Sequence, residues 1–241
     1  MQYFLETSET VVDGVGFAHY DALHLGWLAA LVVILLLNCL LYRKLGQKGR
    51  DTWKKVVAIL LVLDEVFKHA MLLIGGNFAV SYLPLHLCSI NIFLIAFHAW
   101  KPSKLLDNFL YMVCIPGTAA ALLFPTWTGL PLMNFMHLHS FTVHILLMLY
   151  PLVLAVCGEL KLSARMIPKC LGLLVVMAAV IYGVNLLLDT NFMFLMSADP
   201  GNPLYWFGQN WGSHLLGFPV IIVGVLIVMY GPLTLARKLK R

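Results

Sequence analysis

Apolar residues run along this chain in seven long blocks separated by polar connections, and each block has the length of a membrane crossing. A helix needs about 20 mostly apolar residues to traverse the hydrocarbon core. The blocks fall at residues 21–41, 56–74, 83–100, 105–124, 137–157, 168–188 and 215–235. The pattern predicts an all-α membrane protein, a seven-transmembrane helix bundle in which residues 1–241 form one domain. Pro116-Gly117 is predicted to kink the fourth span. The connection at 189–214 is rich in Asn, Pro, Gly and aromatic residues, which suits either an interfacial aromatic belt or a lid over the mouth of the bundle.

Composition agrees with a membrane environment. Of the 241 residues, 61% are hydrophobic and only 11% charged, against about 25% charged in soluble domains. Mean hydropathy is +0.88.

The charges decide the orientation. Arg43, Lys44, Lys48, Arg50, Lys54 and Lys55 lie in the first connection, Lys101 and Lys104 in the third, Lys161, Arg165 and Lys169 in the fifth, and Arg237, Lys238, Lys240 and Arg241 in the tail. Fifteen of the sixteen basic residues thus occupy alternate connections; the other, Lys68, is inside a span. The opposite side carries Glu6, Glu9, Asp13, Asp189 and Asp199. The positive-inside rule then predicts an outer N-terminus and a cytoplasmic C-terminus. Anionic inner-leaflet lipid is a sufficient partner for the basic loops, and no nucleic acid is expected. The acidic start and the Arg43-Lys44 flank predict a permanent first span rather than a cleaved signal. The five cysteines all fall within or at the ends of spans, so no extracellular disulfide framework is expected.

Against this apolar background, polar groups inside spans are costly and point to a site. The segment 83–91 reads Leu-Pro-Leu-His-Leu-Cys-Ser-Ile-Asn and brings His86, Cys88 and Asn91 together at one span's edge. Rise per residue places Cys88, His144 and His69 about 7 to 12 Å below the outer surface and Glu65 about 13 Å. His24, His86, His137, His139 and His214 lie nearer the mouth, so eight of nine histidines map to the outer half. One outward-opening polar cavity is predicted to gather them. On the second span, Asp64 with Lys68 and Glu65 with His69 are spaced i,i+4 in the acid-first order that favours pairing. His137, His139 and His144 lack the spacing of a two-histidine zinc helix; no metal and no cofactor is expected.

Cys88 is the candidate nucleophile, and its base must come from another span. His86, two residues away, sits about 200° round the helix, whereas His144 matches Cys88 in depth. A thiolate made by an imidazole attacks esters and amides readily.

The motifs Leu83-Pro-Leu-His-Leu-Cys-Ser, Phe124-Pro, Asn134-Phe-Met-His-Leu-His-Ser-Phe-Thr-Val-His144 and Asn191-Phe-Met-Phe-Leu, with Pro151 and Asn185, resemble the YwaF family of bacterial seven-span proteins. That family is similar to animal transmembrane protein 164, regarded as a phospholipid acyltransferase, and more distantly to the androgen-induced membrane lipid hydrolases. The resemblance implies a multi-pass protein of a bacterial plasma membrane with a nucleophile on one span and a histidine on another. It carries those roles onto Cys88 and His144, with His86, Asn185 and Asn191 lining the cavity. The family's acid after the proline of the fourth outer connection is absent, because Thr126 and Trp127 follow Pro125.

The leading expectation is therefore an intramembrane lipid acyltransferase or ester hydrolase acting on a membrane phospholipid or other acyl lipid. Glu65 or His69 would poise His144, and Asn91, Asn185 or His86 would donate to the oxyanion. The alternative is a proton-coupled transporter or solute-binding protein with Asp64, Glu65 and His69 as relay. A metal-binding membrane protein is third.

Overall fold

A computed structural model describes residues 3–198, 200 and 202–239. Asp199, Lys240 and Arg241, used in the charge pattern above, lie outside the described residues, as do the side chains of Arg237 and Lys238. Among the described residues the regular structure is entirely helical: α1 (Ala22–Lys44), α2 (Gln47–Ile74), α3 (Leu87–Trp100), α4 (Lys104–Phe109), α5 (Ile115–Leu123), α6 (Phe135–Val156), α7 (Ile167–Leu188), α8 (Pro203–Trp211) and α9 (Gly217–Leu239). A π segment, Leu110–Cys114, joins α4 to α5 into one rod, Lys104–Leu123. Five helices are long and apolar enough to cross a membrane: α1, the α4–α5 rod, α6, α7 with its short lead-in, and α9 with its own. The other two predicted spans fall on α2, which is 28 residues long but charged, and on α3, which has only 14.

Helix α6 is the axis. It packs against α1, α2, α3 and α5 because its sequence is apolar nearly all round, the mark of a helix buried on several faces. One face, with Val143, Leu147, Tyr150 and Leu154, joins Leu61, Ile92, Ile95 and Cys114 in the largest core. The next face, with Phe141, Ile145 and Met148, packs against Phe17, Leu31 and Leu122. Helices α7 and α9 stand further out, α7 on α4 and α9 on the π segment.

Several elements differ from the sequence expectation for identifiable reasons. The helix is not broken at Pro116-Gly117; a π turn, Leu110–Cys114, precedes the proline instead. Pro116 has no N–H for the carbonyl one turn back, and a single wide turn next to it accommodates that missing bond. The Thr118 hydroxyl donates to the carbonyls of Cys114 at 2.7 Å and Ile115 at 3.0 Å, supplying donors where lipid offers none. The third span does not begin at Leu83, because Pro84 disfavours helix at the residue before it, and residues 83–86 form a turn into α3, closed by the Leu85 N–H on the Leu83 carbonyl at 2.7 Å. The 189–214 connection contains a helix, α8, and an inserted turn: Phe192 and Met193 are buried against Leu83, Leu85, Leu87 and Ile90. Met193 and Phe194 both adopt left-handed backbone, at φ 59° and 55°, which bulky residues rarely hold unless packing enforces it.

The N-terminal segment lies across the mouth of the bundle rather than hanging free. Asn134 caps α6 through the N–H groups of Met136 and His137 and donates its amide to the carbonyls of Tyr3 and Glu6, each at 2.7 Å. Asn77 donates to the Leu5 carbonyl at 2.9 Å.

At the opposite, basic end a buried network was not anticipated. His98 meets Asp107 at 2.8 Å and the Tyr150 hydroxyl at 2.9 Å. The second Asp107 oxygen accepts from Lys161 N–H, and neighbouring Asn108 joins the 161–163 turn and Tyr230. The charge here is buried and fully partnered, and removing one member strands the others. Asp107→Ala is expected to destabilise the protein by about 3 kcal/mol, read as a lowered midpoint of unfolding in detergent. Lys161→Ala, which keeps the backbone donor, should leave the midpoint nearly unchanged.

Candidate functional site

The ionisable residues of α2 converge on α6. Lys68 Nζ lies 2.5 Å from Glu65 Oε1, both side chains being only 7% exposed. The expected Asp64–Lys68 pair does not form. Asp64 turns to α6 instead, where both of its oxygens lie 3.2 Å from the Thr142 hydroxyl, whose nearest acceptor is the Leu138 carbonyl at 2.8 Å. His139 bridges the two acids, with Nδ1 3.3 Å from Asp64 Oδ2 and Nε2 3.8 Å from Glu65 Oε2. Neither contact is aligned as a hydrogen bond, so His139 Nδ1 and Glu65 Oε2 are buried without a partner. His69 stays beside Glu65, its Nδ1 bonded to that residue's own carbonyl at 3.0 Å and 3.5 Å from Oε1.

Two hollows flank this cluster. A cavity of about 270 Å³ at the mouth is lined by Glu9, Lys68, Ser81, Tyr82, Leu83, His86, Ser89, Met136, His139 and Ser140. Burial raises the Tyr82 phenol above its ordinary value, so it remains a neutral donor at physiological pH. A second hollow of about 360 Å³, open on its side, lies between α2 and Pro84 and is lined by Glu65, Val66, His69, Ala70 and Leu73.

The predicted gathering of eight outer histidines into one cavity does not occur; only His86 and His139 line the vestibule. The others are engaged elsewhere. His137 bonds the Leu130 carbonyl through Nδ1 and accepts from Trp27 Nε1. His24 bonds the Leu122 carbonyl and accepts from Tyr20 N–H. His214 bonds the Phe194 carbonyl. Depth is readable from the sequence, but the face each ring presents depends on which helices become neighbours. Asn185 is buried and spends its whole amide on the turn that follows α7, accepting from Phe192 N–H and the Thr190 hydroxyl and donating to the Phe192 carbonyl. Asn191 likewise closes a turn onto Ser197.

Cys88 lies in the first turn of α3, half-buried against the core that includes Cys114, Val143 and Leu147. Asn91, one turn on, is buried with its amide oxygen unpartnered. His144 donates from Nδ1 to the Ser140 carbonyl at 2.6 Å and stacks on Trp127 at 5.3 Å between ring centroids. That bond fixes the tautomer and leaves the Nε2 lone pair available. No hydrogen bond joins Cys88 to His144 among the described residues. His86 precedes α3 rather than lying on it, and its Nδ1 accepts from Met193 N–H at 3.3 Å. All five cysteines are free thiols, and no group of three or more His, Cys, Asp or Glu side chains among the described residues is arranged to hold a metal.

The family comparison spans most of this arrangement: the model of the TMEM164 family matches residues 16–230, from the lead into α1 to the buried Tyr230 of α9. The chain belongs to the TMEM164 family. Its several long apolar helices accord with a multi-pass membrane protein. No curated protein and no solved structure matches. The region matched by the TMEM164 family model includes Cys88, His144 and the α2 cluster, but not Glu9 at the vestibule rim.

Asn185→Ala is expected to free the 190–197 turn while leaving the helices intact. Amide exchange at Thr190 and Phe192, whose N–H groups bond the Asn185 carbonyl and side chain, should rise about tenfold or more, with helical circular dichroism unchanged.

Proposed function

We propose that this TMEM164 family protein is an intramembrane lipid acyltransferase or lipid ester hydrolase, with Cys88 as nucleophile and His144 as general base. The supporting observation is the position of Cys88 at an open helix N-terminus. Asp21, Ser103 and Asn134 cap α1, α4 and α6 with their side chains, whereas no side chain caps α3. Its first helical bond runs from Ile90 N–H to the His86 carbonyl, so the N–H groups before Ile90 lack intrahelical acceptors. Those of Cys88 and Ser89, with the positive end of the helix dipole, suit the oxyanion that forms when the adjacent sulfur attacks a carbonyl.

In this reading the Cys88 thiol loses its proton to His144 Nε2, directly or through one water. The sulfur bonds to the ester carbonyl carbon, and the tetrahedral intermediate collapses as the lysolipid oxygen leaves with the proton from His144. The acyl thioester then passes to an acceptor hydroxyl, of a second lipid or of water, with His144 taking the acceptor's proton and returning it to sulfur. Cys88→Ala should abolish acyl turnover of phospholipid vesicles by purified protein, and His144→Ala should lower it by about 10²- to 10⁴-fold. Full turnover by Cys88→Ala would overturn the reading.

The same reading takes seven spans, with α2 and α3 crossing beside the five long apolar helices, an outer N-terminus and a cytoplasmic C-terminus. It is supported by contacts that join the basic connections at one end, Arg50 with Glu159 at 2.6 Å and Lys161 N–H with Asp107 at 3.1 Å. In intact cells a membrane-impermeant maleimide should label Asp13→Cys but reach Lys48→Cys only after permeabilisation; the reverse pattern would invert the topology.

A second reading, proton-coupled transport or solute binding, is favoured by the unpartnered nitrogen and oxygen of His139 and Glu65. It predicts solute uptake that survives Cys88→Ala and fails with Glu65→Gln.

A further inference from the structure

Six tryptophans occur in the chain, and Trp100, Trp206 and Trp211 are exposed. Of the other three, two spend the indole N–H on a side chain: Trp53 Nε1 donates to Asn38 at 2.9 Å and Trp27 Nε1 to His137 at 3.0 Å. Trp127 does not. Its Nε1 is buried without a partner among the described residues. A buried N–H with no acceptor carries an uncompensated desolvation cost, and such a group in a native fold needs an account.

The account lies in what the indole covers. The Trp127 ring stacks on His144 at an interplanar angle of 13°, and Phe141 packs against it edge-on, at 82° and 5.3 Å between centroids. The connection that carries Trp127 is pinned from the N-terminal segment. Phe17 N–H donates to the Thr128 carbonyl at 2.8 Å, His19 Nε2 lies 3.1 Å from the Pro125 carbonyl, and Gly16 leaves no room for a side chain against the backbone of Thr128 and Gly129. His144 is fixed in turn by the bond from its Nδ1 to the Ser140 carbonyl. Two rigidly held rings thus lie face to face, one with a lone pair at Nε2 and the other with an unspent N–H.

We propose that the Trp127 indole N–H is the hydrogen-bond donor to the oxygen that His144 protonates and deprotonates. This rests on the Cys88–His144 reading above and adds a third group to it. When the tetrahedral intermediate collapses, the carbon–oxygen bond breaks with its electron pair on oxygen and the His144 Nε2 proton moves onto that oxygen. The Trp127 N–H keeps its own proton and bonds the negative charge developing there. In the second half of the reaction the acceptor hydroxyl takes the same seat, gives its proton to Nε2 and attacks the thioester carbon. The carbonyl oxygen is served separately by the N–H groups of Cys88 and Ser89, so the two oxygens of the ester have different donors. The indole N–H therefore matters in proportion to the basicity of the leaving oxygen.

The test measures release of the first product in a single turnover, with purified protein in excess, from two octanoyl esters in detergent micelles. Dioctanoyl phosphatidylcholine leaves as a basic alkoxide, and 4-nitrophenyl octanoate leaves as a stabilised phenolate that needs no donor. Trp127→Phe keeps an aromatic face for His144 and removes the N–H. It should slow cleavage of the phospholipid about tenfold, the scale of one hydrogen bond, and leave cleavage of the nitrophenyl ester nearly unchanged. The nitrophenyl rate also reports that the variant is folded with Cys88 and His144 in working order, whereas His144→Ala should slow both esters. Equal slowing of the two esters by Trp127→Phe would make Trp127 a packing residue and overturn the proposal, as would no slowing of either. Product release by the wild type that is absent, or that survives Cys88→Ala, overturns the catalytic reading and this proposal with it, and is distinct from both of those results.

Discussion

Glu65 and Lys68 meet inside α2 with almost no access to solvent, and much of the mouth of the bundle is arranged around that contact. Neither charge is tolerable alone at such a depth. Pairing them leaves a carboxylate oxygen on one side and ammonium hydrogens on the other. His139 from α6 meets the first, and the vestibule opens onto the second. Asp64, deprived of the lysine, is held by Thr142 and faces His139. Helix α2 is thereby tied to α6 by polar contacts above an apolar core that packs the same two helices lower down.

The sequence made the helical architecture legible, because apolar length and the alternation of basic connections depend on lipid and not on neighbours. The individual contacts were much less so. Lys68 chose the acid at i−3 over the one at i−4, a choice that hydropathy cannot rank because both spacings bring side chains together. It was settled by Thr142 and His139 on α6, which drew Asp64 away. His98 and Asp107 were invisible as partners: they are nine residues apart on different helices, and the turn that joins those helices brings them together. Asn185 was read as polar lining because an amide at the end of a span is unusual. The structure uses it to hold the turn that follows α7, where its side chain meets both the N–H and the carbonyl of Phe192.

The candidate catalytic residues show the same division. Depth put Cys88 and His144 at one level, and the sequence supports that much. The open N-terminus of α3 is a consequence of Pro84 and of His86 standing where a capping Ser or Asp would, so its signal was present in Leu-Pro-Leu-His-Leu-Cys-Ser. A continuous span from Leu83 hid it, since residues inside a helix have their N–H groups occupied. The wall of the lateral hollow was likewise unreadable, because Val66, Ala70 and Leu73 look like ordinary lipid-facing positions until Pro84 is placed opposite them.

The rim of the vestibule draws on three widely separated parts of the chain: Glu9, residues 81–89, and α6 from Met136 to Ser140. The bonds from Asn134 to the carbonyls of Tyr3 and Glu6 close a loop of about 130 residues. During synthesis the segment around Tyr3 and Glu6 must therefore wait until α6 has been made before these bonds can close. Until that moment Lys68 and the acids of α2 have no roof and no partner from α6, and the turn that seats Phe192 and Met193 against His86 and Leu83 is made later still.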